Sequence, residues 1–306
     1  MRRERRHALE AALASAMSAI VRRLPRPAVL ALGRGLGRLW AALDRRHLRI
    51  AEANLRAAFP DWDEARLRAT ARGVYRHFGA VLLDLLWMEG RSAQELLALA
   101  DVEGVEHMVR ARAAGRGVVG PTGHFGNWEF QAVASVPLVG NVSAIARPLD
   151  NPHLDRRLVA LRTATGNRVI YKQRALVQVL KAIRDGGIVA VLIDQNVQPE
   201  DGVFVDFFGR PAGTTPALGA FHLRTGAPLL PVFCCPAAAG RYRLRILPPI
   251  AFVPGEDVGA DVLKITGICT KIIETAIRED PSSWLWVHDR WRSRPKDEHD
   301  HQTETP

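Results

Sequence analysis

From residue 102 onward the chain alternates short apolar runs with longer segments of helical period, and that rhythm leaves few folds open. The apolar runs at 117–120, 142–146, 168–171, 187–193 and 228–234 are strand-sized and bounded by glycine, asparagine or proline. The segments 105–114, 127–136, 152–165, 173–185, 214–226 and 258–279 read as helices. Strands separated by helices are expected to lie parallel and to be joined by right-handed crossovers. The expected class is therefore α/β, a mainly parallel sheet flanked by helices. Residues 241–247, Arg-Tyr-Arg-Leu-Arg-Ile-Leu, alternate with period two, which predicts an antiparallel edge or end strand with one face in water.

The region before residue 102 reads as helical instead. Residues 8–21 form an apolar or small-residue run between arginines, too short for a span of about 20 residues. Pro25 and Pro27 break it, and 28–43 follow with Leu30, Leu32, Leu36, Leu39, Trp40 and Leu43 apolar and Arg34 and Arg38 one turn apart. Within it, Gly33-Arg-Gly-Leu-Gly37 has no strand before it, so close helix packing explains it better than phosphate binding. Residues 45–58 make a third helix, and Asp61 or Asp63 is expected to cap a fourth that runs to about Trp87. Charge is concentrated at this end. Of a net +10 over 306 residues, residues 1–56 carry +9, thirteen arginines against Glu4, Glu10, Asp44 and Glu52. Such an arm suits nucleic acid or anionic lipid. No paired zinc ligands, RNP-like aromatics or KH-type loop accompany it, and apolar residues interleave the arginines, which favours an anionic membrane surface over nucleic acid. The expected division is 1–43 as basic amphipathic membrane-associating helices, 44–293 as the α/β domain, and 294–306 as a disordered tail. Three cysteines (Cys234, Cys235, Cys269) form neither a disulfide framework nor metal-ligand spacing, which fits a reducing, cytosol-facing location.

Chemistry concentrates in Gly117-Val-Val-Gly-Pro-Thr-Gly-His-Phe-Gly-Asn-Trp-Glu129, a strand breaking into a glycine-rich turn before a helix. Histidine is the side chain most easily tuned to accept a proton near neutral pH, and a carboxylate can fix its tautomer. Five residues on a regular helix turn through about 140°, so His124 and Glu129 can meet only if His124 lies in the turn, as Gly123 and Gly126 permit. Three readings stand side by side: a core histidine, acid–base chemistry, and nucleotide binding at Gly120, Gly123 and Gly126, with Arg147 on an NADP 2′-phosphate. A second candidate acid, Asp194, ends strand 187–193 with Gln195 and Asn196 behind it, at the edge where open parallel sheets place their sites. Neither a Gly-x-Ser-x-Gly elbow nor a metal-ligand cluster is present in the sequence, which argues against serine-based hydrolysis and against a metal.

Gly123-His-Phe-Gly-Asn-Trp-Glu129 resembles the His-x4-acid motif of the lysophospholipid acyltransferase superfamily, and in detail that of the bacterial lipid A biosynthesis acyltransferases. Four further segments are similar to that family in the same order: Asn54-Leu55 with Phe59-Pro60, Arg147-Pro-Leu-Asp-Asn-Pro152, residues 202–215 and Trp284-Leu-Trp-Val-His-Asp-Arg-Trp291. In the last, Asp289 stands where the family more often has arginine. The resemblance implies acyl transfer from an acyl-carrier-protein (or CoA) thioester to a hydroxyl of a lipid A precursor, on the cytoplasmic face of a bacterial inner membrane, with no organic cofactor or metal needed. His124 would be the general base, oriented by Glu129, and the turn's backbone N–H groups or Arg147 would meet the oxyanion. Substrate contacts are implied at Gly123, Asn127, Arg147, Arg162, Asp194, Gln195, Phe208 and Gly209. Phe204, Phe207 and Phe208 would offer a loop surface to an acyl chain or fold onto the core, and Thr214 or Thr215 would cap the next helix. Another glycolipid acceptor, such as a phosphatidylinositol mannoside, is the alternative within the class.

Overall fold

The computed structural model describes residues 2–171 and 175–295, so most of the expected tail (296–306) lies outside the described residues. Four helices come first: α1 (Arg2–Val21), α2 (Arg26–Leu43), α3 (Arg45–Ala58) and α4 (Glu64–Met88). Pro25 and Arg26 open α2, and Asp63 caps α4 by accepting the Arg66 N–H at 2.7 Å. The short α5 (Ala93–Leu97) starts with a capping box between Ser92 and Glu95. Beyond it come β1 (Ala100–Glu103), α6 (Val105–Ala113), β2 (Val118–Thr122), α7 (Trp128–Ala134), α8 (Val136–Val139), β3 (Val142–Ala146), α9 (Pro152–Thr163), β4 (Arg168–Tyr171), α10 (Ala175–Arg184) and β5 (Ile188–Leu192). The chain continues through β6 (Val203–Phe207), β7 (Arg210–Thr214), α11 (Ala217–Thr225), β8 (Val232–Pro236), β9 (Tyr242–Ile246) and α12 (Val258–Glu279).

Strands β2, β5, β3 and β4, in that spatial order, form a parallel sheet, as the strand–helix alternation predicts. Helices flank it, and its largest buried cluster joins Val119, Val189 and Val191 to Ile265, Cys269 and Ile273 of α12. The glycine repeat of α2 does serve close packing. A Cβ on Gly37 would sit 2.1 Å from the Tyr75 carbonyl oxygen, and one on Gly33 2.6 Å from the Gly79 oxygen, so α2 and α4 meet backbone to backbone.

Two expectations need correction. The period-two strand β9 does expose alternate residues, but it lies in the middle of a three-stranded sheet, parallel to β1 and antiparallel to β8. Alternation reports which face meets water and says nothing of which edges are paired. The arginines that read as solvent-facing hold cross-strand ion pairs, Arg241 to Asp101 at 2.7 Å and Arg243 to Glu103 at 3.5 Å. The phenylalanine-rich stretch is a β6–β7 hairpin rather than a loop, turning on Phe208 and Gly209 with φ of 58° and 75°. Both angles are positive, as a two-residue type I′ turn requires. Phe207 and Phe208 are buried, which decides for the core, and Phe204 is half-buried. The N-cap of α11 is Pro216, with Thr215 Oγ1 accepting the Ala217 N–H at 3.4 Å.

The α2–α4 contact yields a direct test. Gly37→Ala and Gly79→Ala should each destabilise by about 1–3 kcal/mol, the usual cost of overpacking. Gly35→Ala, with nothing within 4 Å of its Cβ, should be neutral or stabilising. Denaturant midpoints compare the three; equal midpoints would remove the close-packing argument.

Candidate active site

Strand register brings the site together. Thr122 of β2 pairs with Leu192 of β5, and two residues beyond each lie His124 and Asp194. Both emerge at the carboxyl edge of the parallel sheet. His124 Nδ1 lies 2.8 Å from Asp194 Oδ1, and the His124 backbone N–H donates to Asp194 Oδ2 at 2.6 Å. The Trp284 indole N–H donates to the same oxygen at 2.7 Å. Asp194 is almost fully buried, whereas the His124 side chain keeps 20% exposure. At Gly123 a Cβ would meet Asp194 Oδ2 at 2.9 Å, so a larger residue would displace the carboxylate from its hydrogen bonds. Burial by itself would push the Asp194 carboxyl up; the charge of His124 and the three hydrogen bonds outweigh it and hold the carboxyl below its ordinary value. With Nδ1 engaged by a carboxylate, Nε2 is the ring nitrogen left to exchange a proton with a substrate.

Glu129 therefore does not take the place at Nδ1 that the motif spacing suggests. It sits in the first turn of α7, where its carboxylate pairs bidentately with Arg162 of α9 (Nε to Oε2 2.9 Å, and Nη2 to Oε1) and accepts the Trp128 indole N–H at 3.1 Å. Trp128 in turn sets its ring edge-to-face with His124, centroids 5.0 Å apart. Glu129 reaches the histidine through Trp128. The physical reason is the bend: His124 lies outside the helix and is claimed by the adjacent strand end before the helix begins.

Other expected residues separate into exposed and buried groups. Arg147 follows β3 at the same sheet edge with its side chain 78% exposed and a loose 3.9 Å pairing to Asp150. Gln195 is also exposed, next to Asp194. Asn127, in contrast, is fully buried and committed to structure. Its oxygen caps α7 at the Phe130 N–H, 3.0 Å, and its amide donates to Tyr242 Oη at 2.8 Å and to Asp84 at 3.3 Å. Asp84 is itself bound bidentately by buried Arg26 from α2, at 2.8 and 2.9 Å. Phe208 and Gly209 form the hairpin turn; the Phe208 N–H donates to buried Glu274, and the Arg278 guanidinium lies 4.4 Å from the Phe208 ring centroid. The turn's backbone is also spoken for. The N–H groups of His124, Gly126 and Asn127 donate to Asp194, the Ser283 oxygen and the Cys234 oxygen, so these three cannot form the oxyanion site expected of them.

Trp284 and Trp128 acquire contacts to the site that sequence reasoning did not assign, although both lie in motif segments. His77 of α4 was invisible in the sequence; its Nε2 holds the Gly126 carbonyl at 2.9 Å. The C-terminal block is an internal brace: Asn54 donates to the Trp286 and His288 carbonyls at 2.8 Å each, and His288 Nε2 accepts the Asn196 N–H at 2.8 Å. Buried Arg290 donates to the Gly213 oxygen and Thr214 Oγ1, while Asp289 is exposed. Two glycines of the nucleotide-binding reading have packing duties: a Cβ on Gly126 would lie 1.8 Å from the Cys234 oxygen, and one on Gly123 would crowd Asp194, whereas Gly120 has room for one.

An α/β enzyme with a histidine–carboxylate site at its sheet edge is the class these observations define. The model of the bacterial lipid A biosynthesis acyltransferase family matches residues 2–293, and the chain belongs to that family. It is 28% identical to the lipid A biosynthesis lauroyltransferase of Escherichia coli K12, over 90% of this chain and 89% of that protein. It is 26% identical to the palmitoleoyltransferase of the same organism, over 89% and 87%. Similarity extends to a phosphatidylinositol mannoside acyltransferase of Mycolicibacterium smegmatis, 28% identical over 68% and 66%. The protein is an acyltransferase, which sets the oxidoreductase reading aside.

Burial lowers the proton affinity of His77 and of His288 below the ordinary histidine range. The unfolded chain then binds more protons than the folded one as pH falls through about 6.5, so stability is complete above about pH 7 and declines below it. Asp194, shifted the other way, contributes above about pH 3.9 and loses its contribution only as pH falls through its lower folded value. Melting temperature should thus fall between about pH 7 and 5. His288→Gln, whose amide oxygen can still accept the Asn196 N–H, should make that fall shallower; an unchanged slope would show that His288 does not contribute.

Proposed function

We propose that this chain moves a fatty acyl group from an acyl-carrier-protein or CoA thioester to a hydroxyl of a lipid A precursor, with a related glycolipid as the second possible acceptor. The observation that carries the mechanism is the Asp194–His124 pair, which leaves Nε2 as the base. Nε2 takes the hydroxyl proton as the acceptor oxygen attacks the thioester carbonyl carbon. Asp194 stabilises the imidazolium so formed. When the C–S bond breaks, the departing thiolate takes that proton back, so the histidine returns to neutral without an acyl-enzyme. Trp284 and the His124 backbone N–H hold the carboxylate in line. Glu129 and Arg162 position Trp128 against the imidazole, and Arg147, exposed at the end of β3, is the candidate donor to the oxyanion.

His124→Ala should lower turnover by about 10²–10⁴-fold, the usual worth of a general base. Asp194→Asn should cut kcat by at least about tenfold, and more deeply than Glu129→Gln, because only Asp194 touches the imidazole. Steady-state rates on an acyl-carrier-protein thioester and a lipid A precursor decide the order. Were Glu129→Gln crippled and Asp194→Asn near normal, the motif's own acid would be the orienting one after all.

The same proposal places the protein on the cytoplasmic face of the inner membrane, as a peripheral protein. Among the described residues no helix is long and apolar enough to cross a membrane. Leu9, Leu13, Met17 and Ile20 nevertheless line one exposed face of α1, and Leu32, Leu36, Leu39, Trp40 and Leu43 one exposed face of α2. Arginines surround both, the pattern of an interfacial helix on an anionic leaflet. Deleting 1–43 would be a poor test, since Arg26, Val29 and Leu30 are buried against the rest of the fold. The combined variant Leu13→Gln, Met17→Gln and Ile20→Gln touches only exposed positions and should release the protein from anionic vesicles at unchanged melting temperature. Retention of that variant equal to wild type would contradict the assignment of this face.

A further inference from the structure

We propose that the cleft between the C-terminal ends of α1 and α4 binds the phosphate group of a membrane lipid, held by Arg22, Arg23 and Arg91. The cleft has a volume of about 310 Å³ and is lined by these arginines with Ala19, Glu89 and Gly90. Its charge is unbalanced. Glu89 is the acid in the lining, and both its oxygens are already taken: Arg157 of α9 donates to Oε1 at 2.5 Å and to Oε2 at 2.6 Å, and Ser18 donates to Oε2 at 2.6 Å. None of the three arginines of the lining holds a carboxylate at ion-pair distance among the described residues; Glu89 acts on Arg22, and Glu95 on Arg91, only through longer-range charge.

Arg91 is pre-organised for such a ligand. Its guanidinium lies 3.5 Å from the Trp87 ring centroid, and it donates to the Trp87 and Arg22 carbonyls at 3.1 and 3.4 Å. Stacking and two fixed donors reduce the entropy lost when the remaining N–H groups take an anion. Gly90, at φ 80°, ends α4 without a side chain, and the Arg22 guanidinium passes 3.6 Å from where a Cβ would be. Arginine's planar fork of N–H donors matches the oxygens of a phosphate, which it can hold by two parallel hydrogen bonds. The ligand class follows from the neighbourhood. Arg23 lies three residues beyond Ile20, at the end of the exposed Leu9, Leu13, Met17 and Ile20 face, so a lipid could set its phosphate in the cleft and its chains along α1. In this last step the inference rests on the peripheral-membrane proposal above. The cleft also connects to the active site through α9, whose Arg157 holds Glu89 and whose Arg162 holds Glu129.

Two sources share this chemistry, a bilayer phospholipid and the phosphorylated acceptor, and the experiment has an arm for each. The double variant Arg22→Gln, Arg23→Gln leaves the contacts of Arg91 in place. Arg184→Gln, Arg224→Gln removes the same charge from exposed positions on α10 and α11. One arm measures binding to phosphatidylcholine vesicles with and without phosphatidylglycerol. The other measures the Kd for a bisphosphorylated acylated disaccharide, and for its dephosphorylated form, in neutral detergent micelles. The cleft variant should lose about tenfold or more in affinity for the phosphorylated or anionic lipid in at least one arm, since each basic residue near an anionic surface contributes about fivefold. Loss in the vesicle arm assigns the site to bilayer lipid; loss in the micelle arm assigns it to the acceptor. A cleft variant that tracks the control in both arms overturns the site. Wild type that binds no vesicle, with the cleft variant still weakened toward the disaccharide, would sink the membrane reading and keep the cleft.

Discussion

The buried carboxylate of Asp194 is the interaction on which the site depends. Three donors converge on it from parts of the chain far apart in sequence: the imidazole and backbone N–H of His124, 70 residues away, and the indole of Trp284, 90 residues away. An ionised carboxylate at that depth is tolerable only because its oxygens are hydrogen-bonded and an imidazole stands beside it. The geometry of the candidate site and local stability therefore rest on the same contacts. Position follows from the sheet, since in-register pairing of β2 with β5 delivers the two strand ends side by side.

Around that centre the fold is drawn together by close backbone approaches and buried polar links rather than by apolar packing alone. Gly126 lies against Cys234, and Gly33 and Gly37 of α2 lie against α4. Arg26, Asp84, Tyr242 and Asn127 form one buried network, which ties the second helix of the chain to the helix that follows the His124 turn. The arginine-rich N-terminal region is thus two things at once. Its inward residues belong to the core of the enzyme, and its outward residues form the basic and apolar surface. A charge count over 1–56 registers the second and is blind to the first.

Much of the architecture was legible in the sequence because it rests on local pattern. Short apolar runs bounded by glycine and asparagine correspond to β3, β4 and β5, and the helical segments agree to within a few residues. The site's loop was legible for the same reason, since glycines, a histidine and a following helix are contiguous. The partner of that histidine was not. Motif spacing names Glu129, five residues on, yet the distance that matters is across neighbouring strands, and it selects Asp194. Likewise the aromatic block at 202–215 looks alike as loop or hairpin until Glu274 and Arg278 of α12 are present to hold the positive-φ turn at Phe208.

The class of fold, the acyltransferase family and the stretch of the candidate site are legible along the chain, because periodicity, turn residues and contiguous motifs are properties of neighbours. Which acid pairs with the histidine, the burial of Asn127, the central place of β9 and the cleft shared by Arg22, Arg23 and Arg91 emerge only in three dimensions. Each of these depends on register, burial or hydrogen bonding between segments tens to hundreds of residues apart, and no local pattern encodes such a distance.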